Sequence, residues 1–367
     1  MKYNRVKVCF IIPTLDPGGI ETYTLRFIKY SKNFIEPHII VRSNFKGKLY
    51  EDYLNETNNI YFQPLGYFNV YNLSKYLKLF KKIRPNTVVD FNANFAGLTM
   101  LIAKIVHIEK RIAFYRQGKN HYKNSFLRNI YNKFSNQLVF NYSTAILSNS
   151  QASIDFFFPY IKSHDIRFEV IPNGIKISDY DLIESKEEIR ISLNLPRGAF
   201  IIGNVGRHDP LKNHITILKV AKKLIELNKN VHFVFCGIGT EKLNLLVEKM
   251  KLKEFITILG FRRDVPRVLK ALDLFFFPSI SEGQPNALLE AMISGIEFIS
   301  SNIPSIVECV PESKYSNLFN FDDVLGFQEA ILRIIDNQEI EKDVIKKLIS
   351  NKFDSNINFE LFLKKIK

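Results

Sequence analysis

Residues 274–292 read LFFFPSISEGQPNALLEAM, and their pattern indicates the fold class of the chain. Its first five residues are apolar without alternation, which predicts a strand buried on both faces. A loop containing glycine and proline follows, and the spacing of Ala, Leu and Met over 287–294 predicts a helix. A buried strand followed by a covering helix is the building unit of a parallel α/β sheet.

The same unit recurs on both sides of this stretch. In the second half of the chain we expect strands at 200–205, 231–236, 256–259, 274–278 and 298–300, and helices at 215–227, 241–250 and 287–294. In the first half we expect strands at 6–12, 39–41, 87–91, 111–115 and 145–148, and helices at 21–32, 73–83, 97–106 and 125–140. Two consecutive series predict two doubly wound, Rossmann-like parallel sheets.

The chain length of 367 residues also favours two domains. The sequence Ile-Pro-Asn-Gly at 171–174 marks the seam, so we expect one domain at 1–172 and a second from 173 to about 349. Ligands of open α/β sheets bind beyond the carboxyl ends of the strands. If the two sheets face each other across a cleft, the site lies in that cleft.

Composition excludes several classes of protein. Hydrophobic residues make up 46% and charged residues 24%, which argues against a disordered chain, a fibre or a coiled coil. The three isolated cysteines show no CxxC spacing, so a zinc site or disulfide framework is not expected, and a reducing cytosol fits. The apolar run near the N-terminus contains Lys7 and ends at Pro13, which favours a first strand over a signal peptide. No transmembrane segment is expected.

The formal net charge of +14 concerns partners rather than fold. It leaves nucleic acid, anionic lipid and phosphorylated substrates as candidates. The chain carries no known nucleic-acid-binding signature, so we expect no nucleic-acid partner.

Two loops of the second series carry groups suited to a diphosphate and to hydroxyls. Gly206, Arg207 and Lys212 follow its first strand, where the two cations can grip a diphosphate or form an ordinary solvated loop. Glu282 and Glu290 follow the central strand, and carboxylates there can accept hydrogen bonds from sugar hydroxyls. The alternatives are helix-terminus electrostatics for Glu282 and a structural ion pair for Glu290.

The Glu282–x7–Glu290 spacing, the Gly206-Arg207…Lys212-Asn213 loop, the Pro172-Asn173-Gly174 junction and the Gly18-Gly19-Ile20-Glu21 loop occur in this order along the chain. Together they resemble the retaining glycosyltransferases of family 4. The resemblance implies the α/β GT-B fold, a nucleotide-sugar donor and no essential metal or other cofactor. It also implies a C-terminal helix, within about 350–367, that packs back on the first domain.

The resemblance also assigns roles to residues. Arg207 and Lys212 would stabilise the leaving diphosphate, Glu282 would hold the transferred sugar and Glu290 the ribose. The remaining donor-binding positions are Gly18, Gly19, Gly206, Gly237, Phe261, Arg262, Gly283, Gln284, Pro285, Asn286 and Ala287.

Two departures from the family pattern concern the substrates. Gln284 stands where the family often has Phe, so the donor sugar stays open. Arg116 occupies the position of a frequent family His, where a cation contacts a phosphate or sugar hydroxyl but cannot act as a general base; His121 lies nearby. We assign Arg116 and Asn173 to the acceptor side. Asp179-Tyr180-Asp181 spells the DxD of a metal-dependent fold but lies in a charged crossing segment, so we expect no metal there.

The resemblance predicts a retaining glycosyltransferase. It would move a sugar from a nucleoside diphosphate, UDP by first choice, to a glycan or lipid-linked acceptor of capsule or O-antigen synthesis. The alternative hypothesis is a non-catalytic GT-B-like partner that stabilises another transferase. The basic, aromatic helix at 125–140 fits either peripheral contact with the inner face of an anionic membrane or an ordinary sheet-covering helix. The expected location is therefore the cytoplasm, with or without that contact.

Overall fold

The computed structural model describes residues 5–66, 69–118, 126–161, 165–227, 229–337 and 342–367. The chain forms two compact units. Unit 1 comprises Met1–Gly174 and Asn356–Lys367, and unit 2 comprises Ile175–Ser355. Residues 350–355, which the sequence analysis places with the first domain, lie in unit 2, because Phe353 is buried in the core of that unit.

In the part of unit 1 that the structure describes, a seven-stranded parallel sheet has the order β3-β2-β1-β4-β5-β6-β7. Its strands are β1 Val6–Ile12, β2 Ile35–Val41, β3 Ile60–Phe62, β4 Thr87–Asp90, β5 Lys110–Tyr115, β6 Ala145–Ser148 and β7 Phe168–Val170. The central strands are buried on both faces, as their unbroken apolar runs predict.

Helices cover both faces of this sheet. They are α1 Gly19–Ser31, α2 Tyr50–Leu54, α3 Val70–Ile83, α4 Gly97–Ile105, α5 Phe126–Tyr142, α6 Gln151–Phe157 and, from the far end of the chain, α15 Ser355–Ile366. Phe359 and Phe362 of α15 pack among Tyr23, Phe27 and Phe91, with Phe362 fully buried. The last helix is therefore part of the core of unit 1.

The described residues of unit 2 form a six-stranded parallel sheet of order β10-β9-β8-β11-β12-β13. Its strands are β8 Phe200–Val205, β9 Val231–Cys236, β10 Ile256–Gly260, β11 Leu274–Phe277, β12 Glu297–Ser301 and β13 Leu318–Phe319. Every residue of β9, β11 and β12 is buried.

The helices of unit 2 include the expected ones with shifted ends. They are α7 Lys186–Ser192, α8 His214–Glu226, α9 Asn244–Lys249, α10 Val265–Ala271, α11 Asn286–Ile293, α12 Pro304–Val307, α13 Val324–Asn337 and α14 Lys342–Phe353. The helix expected at 241–250 begins as a 3-10 turn at Thr240–Leu243 before α9. α7 starts with a reciprocal capping box between Ser185 and Glu188, which satisfies two backbone N–H groups.

Candidate active site

The strand order of unit 2 creates a switch point between β8 and β11. The chain leaves β8 toward β9 on one side and returns through β11 on the other, so the loops after β8 and β11 diverge there. Open α/β sheets bind ligands at such a point. The loop after β8 carries Lys212 and the loop after β11 carries Glu282. Their side chains meet, with Lys212 Nζ 2.6 Å from Glu282 Oε1.

The surroundings of Lys212 leave its ammonium available for a second partner. Its side-chain carbons run over Gly206, where an added Cβ would lie 3.6 Å from Lys212 Cδ, and Nζ lies 5.2 Å from the centre of the Phe277 ring. The ammonium has three N–H donors and Glu282 occupies one of them. The pair can therefore keep its ion pair while Lys212 donates to a phosphate oxygen and Glu282 accepts from a hydroxyl.

Glycines bring the loops after β8, β9 and β10 into close contact. Gly237 has φ 151° and its backbone packs directly on Gly206, since a Cβ on Gly237 would lie 2.0 Å from the Gly206 carbonyl oxygen. The Gly237 N–H donates to the Gly260 carbonyl at 2.8 Å, and the Gly206 N–H donates to the Cys236 carbonyl at 2.8 Å. A side chain at Gly237 would push these loops apart, so this glycine is required by the packing.

Arg207 and Arg262 contact carboxylates two residues further along the chain. Arg207 Nε lies 3.6 Å from Asp209 Oδ2, and half of the Arg207 side chain is exposed, so this ion pair is weak and the guanidinium can be redirected. Arg262 holds Asp264 with two hydrogen bonds of 2.8 and 2.7 Å. The Arg262 guanidinium is therefore paired with Asp264, and the neighbouring Phe261 is partly buried.

The loop before α11 is buried around Gly283, Gln284 and Pro285. Asn286 and Ala287 form the first turn of α11, and the Asn286 N–H donates to the Gln284 carbonyl at 3.0 Å. Glu290 lies on the same helix and is buried to 8% exposure. The second carboxylate of the motif is thus held on a rigid, largely apolar helix, whereas Glu282 lies in the loop.

In unit 1 the corresponding switch point lies between β1 and β4, and the Gly-Gly loop follows β1. Gly18 precedes α1 in an extended conformation, and Gly19 is the exposed first residue of the helix. Thr14 Oγ1 donates to Glu21 Oε1 at 3.2 Å, and Tyr53 Oη donates to the Glu21 carbonyl at 2.7 Å. The buried Glu21 therefore ties the start of α1 to the loop that precedes it.

Arg116 at the end of β5 is a buried guanidinium. It lies 3.6 Å from the centre of the Tyr23 ring, and its Nη2 donates to Asn173 Oδ1 at 2.5 Å. Asn149 Nδ2 also approaches Asn173 Oδ1, at 3.4 Å. Burial lowers the pKa of Arg116 to about 10, so the group stays charged at neutral pH. Both acceptor-side residues named from the sequence, Arg116 and Asn173, therefore contact each other; His121 lies outside the described residues.

The sequence analysis missed His214, the first residue of α8. Its ring is buried, stacks on His208 with centroids 5.7 Å apart, and meets the Phe235 ring edge-on. Neither ring nitrogen has a hydrogen-bond partner within the described residues. Burial, followed by the charges of His208 and Lys212, lowers the pKa of His214 to about 4. The sequence pattern does not reveal this burial, because it follows from packing against Phe235 and His208.

Asp179 and Asp181 of the DxD sequence form surface ion pairs instead of a cluster. Asp179 pairs with Lys176 and Asp181 with Lys346, each at 2.7 Å. Across the described ranges, no three His, Cys, Asp or Glu side chains are grouped as metal ligands would be. Nor does any helix in those ranges have the length and apolar character needed to cross a membrane.

Two family models match successive parts of the chain. Residues 17–179 match the model described as Glycosyltransferase Family 4, and residues 185–350 match the model described as Glycosyl transferases group 1. The chain belongs to the family 4 glycosyltransferases. This confirms the family inferred from the loops at Gly18, Gly206 and Glu282.

Among solved structures, this glycosyltransferase resembles Alr3699/HepE of Anabaena, crystallised in complex with UDP and glucose. The TM-score is 0.82 at 17% identity, with 99% of both chains covered. At this identity the likeness concerns the fold, and it confirms the predicted GT-B architecture.

Two curated relatives are bacterial glycosyltransferases. The UDP-Gal:alpha-D-GlcNAc-diphosphoundecaprenol alpha-1,3-galactosyltransferase of Escherichia coli is 32% identical over 209 residues, which cover 55% of this chain and 53% of the relative. The capsular polysaccharide biosynthesis glycosyltransferase CapH of Staphylococcus aureus is 28% identical over 304 residues, covering 81% of this chain and 82% of CapH. The chain thus spans about half of the first relative and most of the second.

Proposed function

We propose that this protein transfers a sugar from a UDP-sugar, with retention of the anomeric configuration, to a glycan or lipid-linked acceptor of bacterial surface polysaccharide synthesis. The main support for the proposal is the contact between Lys212 and Glu282 at the switch point of unit 2. It places a cation that can bind the leaving phosphate beside a carboxylate that can accept hydrogen bonds from sugar hydroxyls. Glu290 on α11 supplies the second carboxylate, for the ribose. The reaction takes place in the cytoplasm.

The proposed reaction proceeds on one face of the sugar. The bond between the anomeric carbon and the diphosphate oxygen breaks, the acceptor oxygen bonds to the same carbon, and the leaving oxygen takes the acceptor's proton. Negative charge grows on the diphosphate during this step, so Lys212 and a redirected Arg207 stabilise the transition state more than the bound donor. These two cations do this without a metal cofactor. We assign Gly18, Gly19, Gly206 and Gly237 to donor binding, because a residue without a side chain lets a ligand approach the backbone closely.

The relatives support the choice of donor and acceptor class. The E. coli relative is named for a UDP-sugar and a diphosphoundecaprenol-linked sugar, and the Anabaena structure contains UDP. On the acceptor side we assign Arg116 and Asn173, because a buried guanidinium that is charged at neutral pH suits a phosphate or a sugar hydroxyl.

The decisive experiment measures transfer in Lys212→Ala and Glu290→Ala, with UDP release from a panel of UDP-sugars as the readout. We expect Lys212→Ala to lose about 100-fold or more in kcat, since removing one group that stabilises developing charge costs this much. Glu290→Ala should also lose transfer, because the ribose of the donor is no longer held. Lys222→Ala is the matched control, because Lys222 forms a surface ion pair with Glu226 on the same unit. Wild-type activity in Lys212→Ala or Glu290→Ala would remove that residue's role. Binding of UDP without any turnover would favour the non-catalytic alternative.

We also propose that α5 contacts an anionic membrane. Phe126, Ile130 and Phe134 recur every four residues along α5 and are 80, 51 and 46% exposed, and Lys133 is exposed among them. Exposed apolar residues beside cations suit the surface of an anionic bilayer. Phe126→Ser with Ile130→Ser should abolish co-sedimentation with phosphatidylglycerol vesicles, whereas Phe156→Ser, at an exposed position on α6, should not. Equal sedimentation of the wild type, the double variant and Phe156→Ser would refute the contact.

A further inference from the structure

Asn213 is the residue between Lys212 and α8, and its side-chain amide forms hydrogen bonds to two other segments of unit 2. Its Nδ2 donates to the Pro278 carbonyl at 3.0 Å and to the Phe321 carbonyl at 2.7 Å. Its Oδ1 accepts a hydrogen bond of 3.0 Å from Thr216 Oγ1. One side chain therefore connects the start of α8, the end of β11 and the segment after β13.

These bonds are unusual for an asparagine directly before a helix. Such a residue commonly caps the helix by accepting from a backbone N–H in the first turn. Asn213 makes no such bond within the described residues, and its backbone has φ 56°, a left-handed conformation that glycine and asparagine tolerate best. The sequence therefore uses an asparagine here for its amide contacts and for its left-handed backbone.

The connection runs alongside the catalytic ion pair. Pro278 lies four residues before Glu282 in the loop after β11, and the Ile280 N–H donates to the Leu211 carbonyl at 2.8 Å. Together with Lys212 Nζ to Glu282 Oε1, the two loops are joined at three successive points. The bonds of Lys212 and Asn213 are made by side chains, and the Asn213 side chain is partly buried.

We propose that Asn213 is a positioning residue that sets Lys212 against Glu282, so that the ammonium presents its free N–H groups to the donor diphosphate. This inference rests on the proposed function, in which Lys212 contacts that diphosphate. Asn213 itself touches neither substrate. It acts by fixing the distance between the loop after β8 and the loop after β11.

The test uses Asn213→Gly, which keeps the left-handed backbone and removes all three amide contacts. UDP is the probe, and its dissociation constant is measured by calorimetry on the full chain. The loss of two hydrogen bonds to carbonyls is expected to weaken UDP binding about ten-fold. Asn194→Gly is the matched control, because Asn194 is exposed and also has a left-handed backbone, at φ 53°. It should bind UDP like the wild type.

A double-mutant cycle with Lys212→Met separates positioning from general destabilisation. If Asn213 acts through Lys212, Asn213→Gly should change UDP affinity less than two-fold in the Lys212→Met background. A ten-fold loss in both backgrounds, or none in either, would overturn the positioning role while leaving the proposed function intact. Unchanged UDP binding in Lys212→Met alone, or no UDP binding by the wild type, would instead remove the proposed donor site and this inference with it.

Thr216→Val provides the second variant should Asn213→Gly fail to fold. It removes the hydroxyl that orients the Asn213 amide and keeps the side-chain shape. UDP binding should weaken about three-fold, and this loss should disappear in the Lys212→Met background. Unchanged UDP affinity in Thr216→Val would contradict the proposal.

Discussion

Replacing Gly237 with alanine should reduce transfer about 100-fold while unit 2 stays folded. The new Cβ would lie 2.0 Å from the Gly206 carbonyl oxygen and 2.5 Å from the Gly206 carbonyl carbon. Ordinary contacts between carbon and oxygen are about 3.3 Å or longer, so the two loops must separate by about 1 Å. Both atoms belong to the backbone, and no side-chain rotation can relieve the overlap.

The expected loss follows from where this displacement falls. Gly206 forms the surface over which the Lys212 side chain runs. If Lys212 contacts the reacting phosphate as proposed, a shift of about 1 Å in its position costs about 100-fold in rate, or about 2.7 kcal/mol in the barrier. The strained backbone of an alanine at φ 151° adds a stability cost of about 1–3 kcal/mol. Steady-state UDP release measures the first effect and thermal unfolding the second.

Two other glycines serve as controls for this variant. Gly198→Ala adds a methyl group with no described atom within 4 Å, so its activity and stability should equal those of the wild type. Gly260→Ala has open space but φ 64°, so it should show the backbone strain in its stability without a steric clash. If Gly237→Ala retains at least half of the wild-type rate, the loops do not need their close approach and the reasoning is refuted.

Two further predictions concern stability. The pKa of His214 is about 4 in the folded protein, against an ordinary 6.5 in the unfolded chain. Between these pH values the unfolded chain binds a proton that the folded protein does not. The neutral, buried His214 therefore contributes its full stability above pH 6.5, and this stability is lost as pH falls toward 4. Between pH 7 and pH 5 the free energy of unfolding should fall by about 2 kcal/mol more in the wild type than in His214→Leu, and equal slopes in urea titrations would contradict this. Phe362→Ala removes a fully buried ring whose centroid lies 4.5 Å from that of Phe27, and it should lower the free energy of unfolding by about 3–5 kcal/mol. Unfolding of unit 1 in urea checks the value, and a loss below 1 kcal/mol would show that α15 contributes little.

The long buried strands could be predicted from the sequence, and the short edge strands could not. Unbroken apolar runs such as that of β11 have few alternative structures, so β1, β8, β9 and β11 lie where the pattern places them. β3, β7 and β13 are two or three residues long and only partly buried, which leaves no periodicity to read. They exist because a neighbouring strand offers free hydrogen-bonding groups.

In the candidate site, the sequence indicated the residue types but not all of their partners. Lys212 and Glu282 lie 70 positions apart, and they meet because the strand order places β8 beside β11. The pairing of Arg262 with Asp264, and the burial of Arg116 against Tyr23, depend on side-chain packing that motifs do not encode. The donor, acceptor and catalytic assignments of these residues stay predictions.

The position of α15 has a consequence for how the protein is made. Unit 1 takes its first 174 residues from the start of the chain, yet Phe359 and Phe362 complete its aromatic core from beyond residue 355. A ribosome therefore releases all of unit 2 before unit 1 can close. Unit 2 is continuous in sequence and can reach its native state first. Unit 1 is synthesised earlier, but its apolar core stays exposed until α15 emerges, so it depends on chaperones or rapid elongation to avoid aggregation.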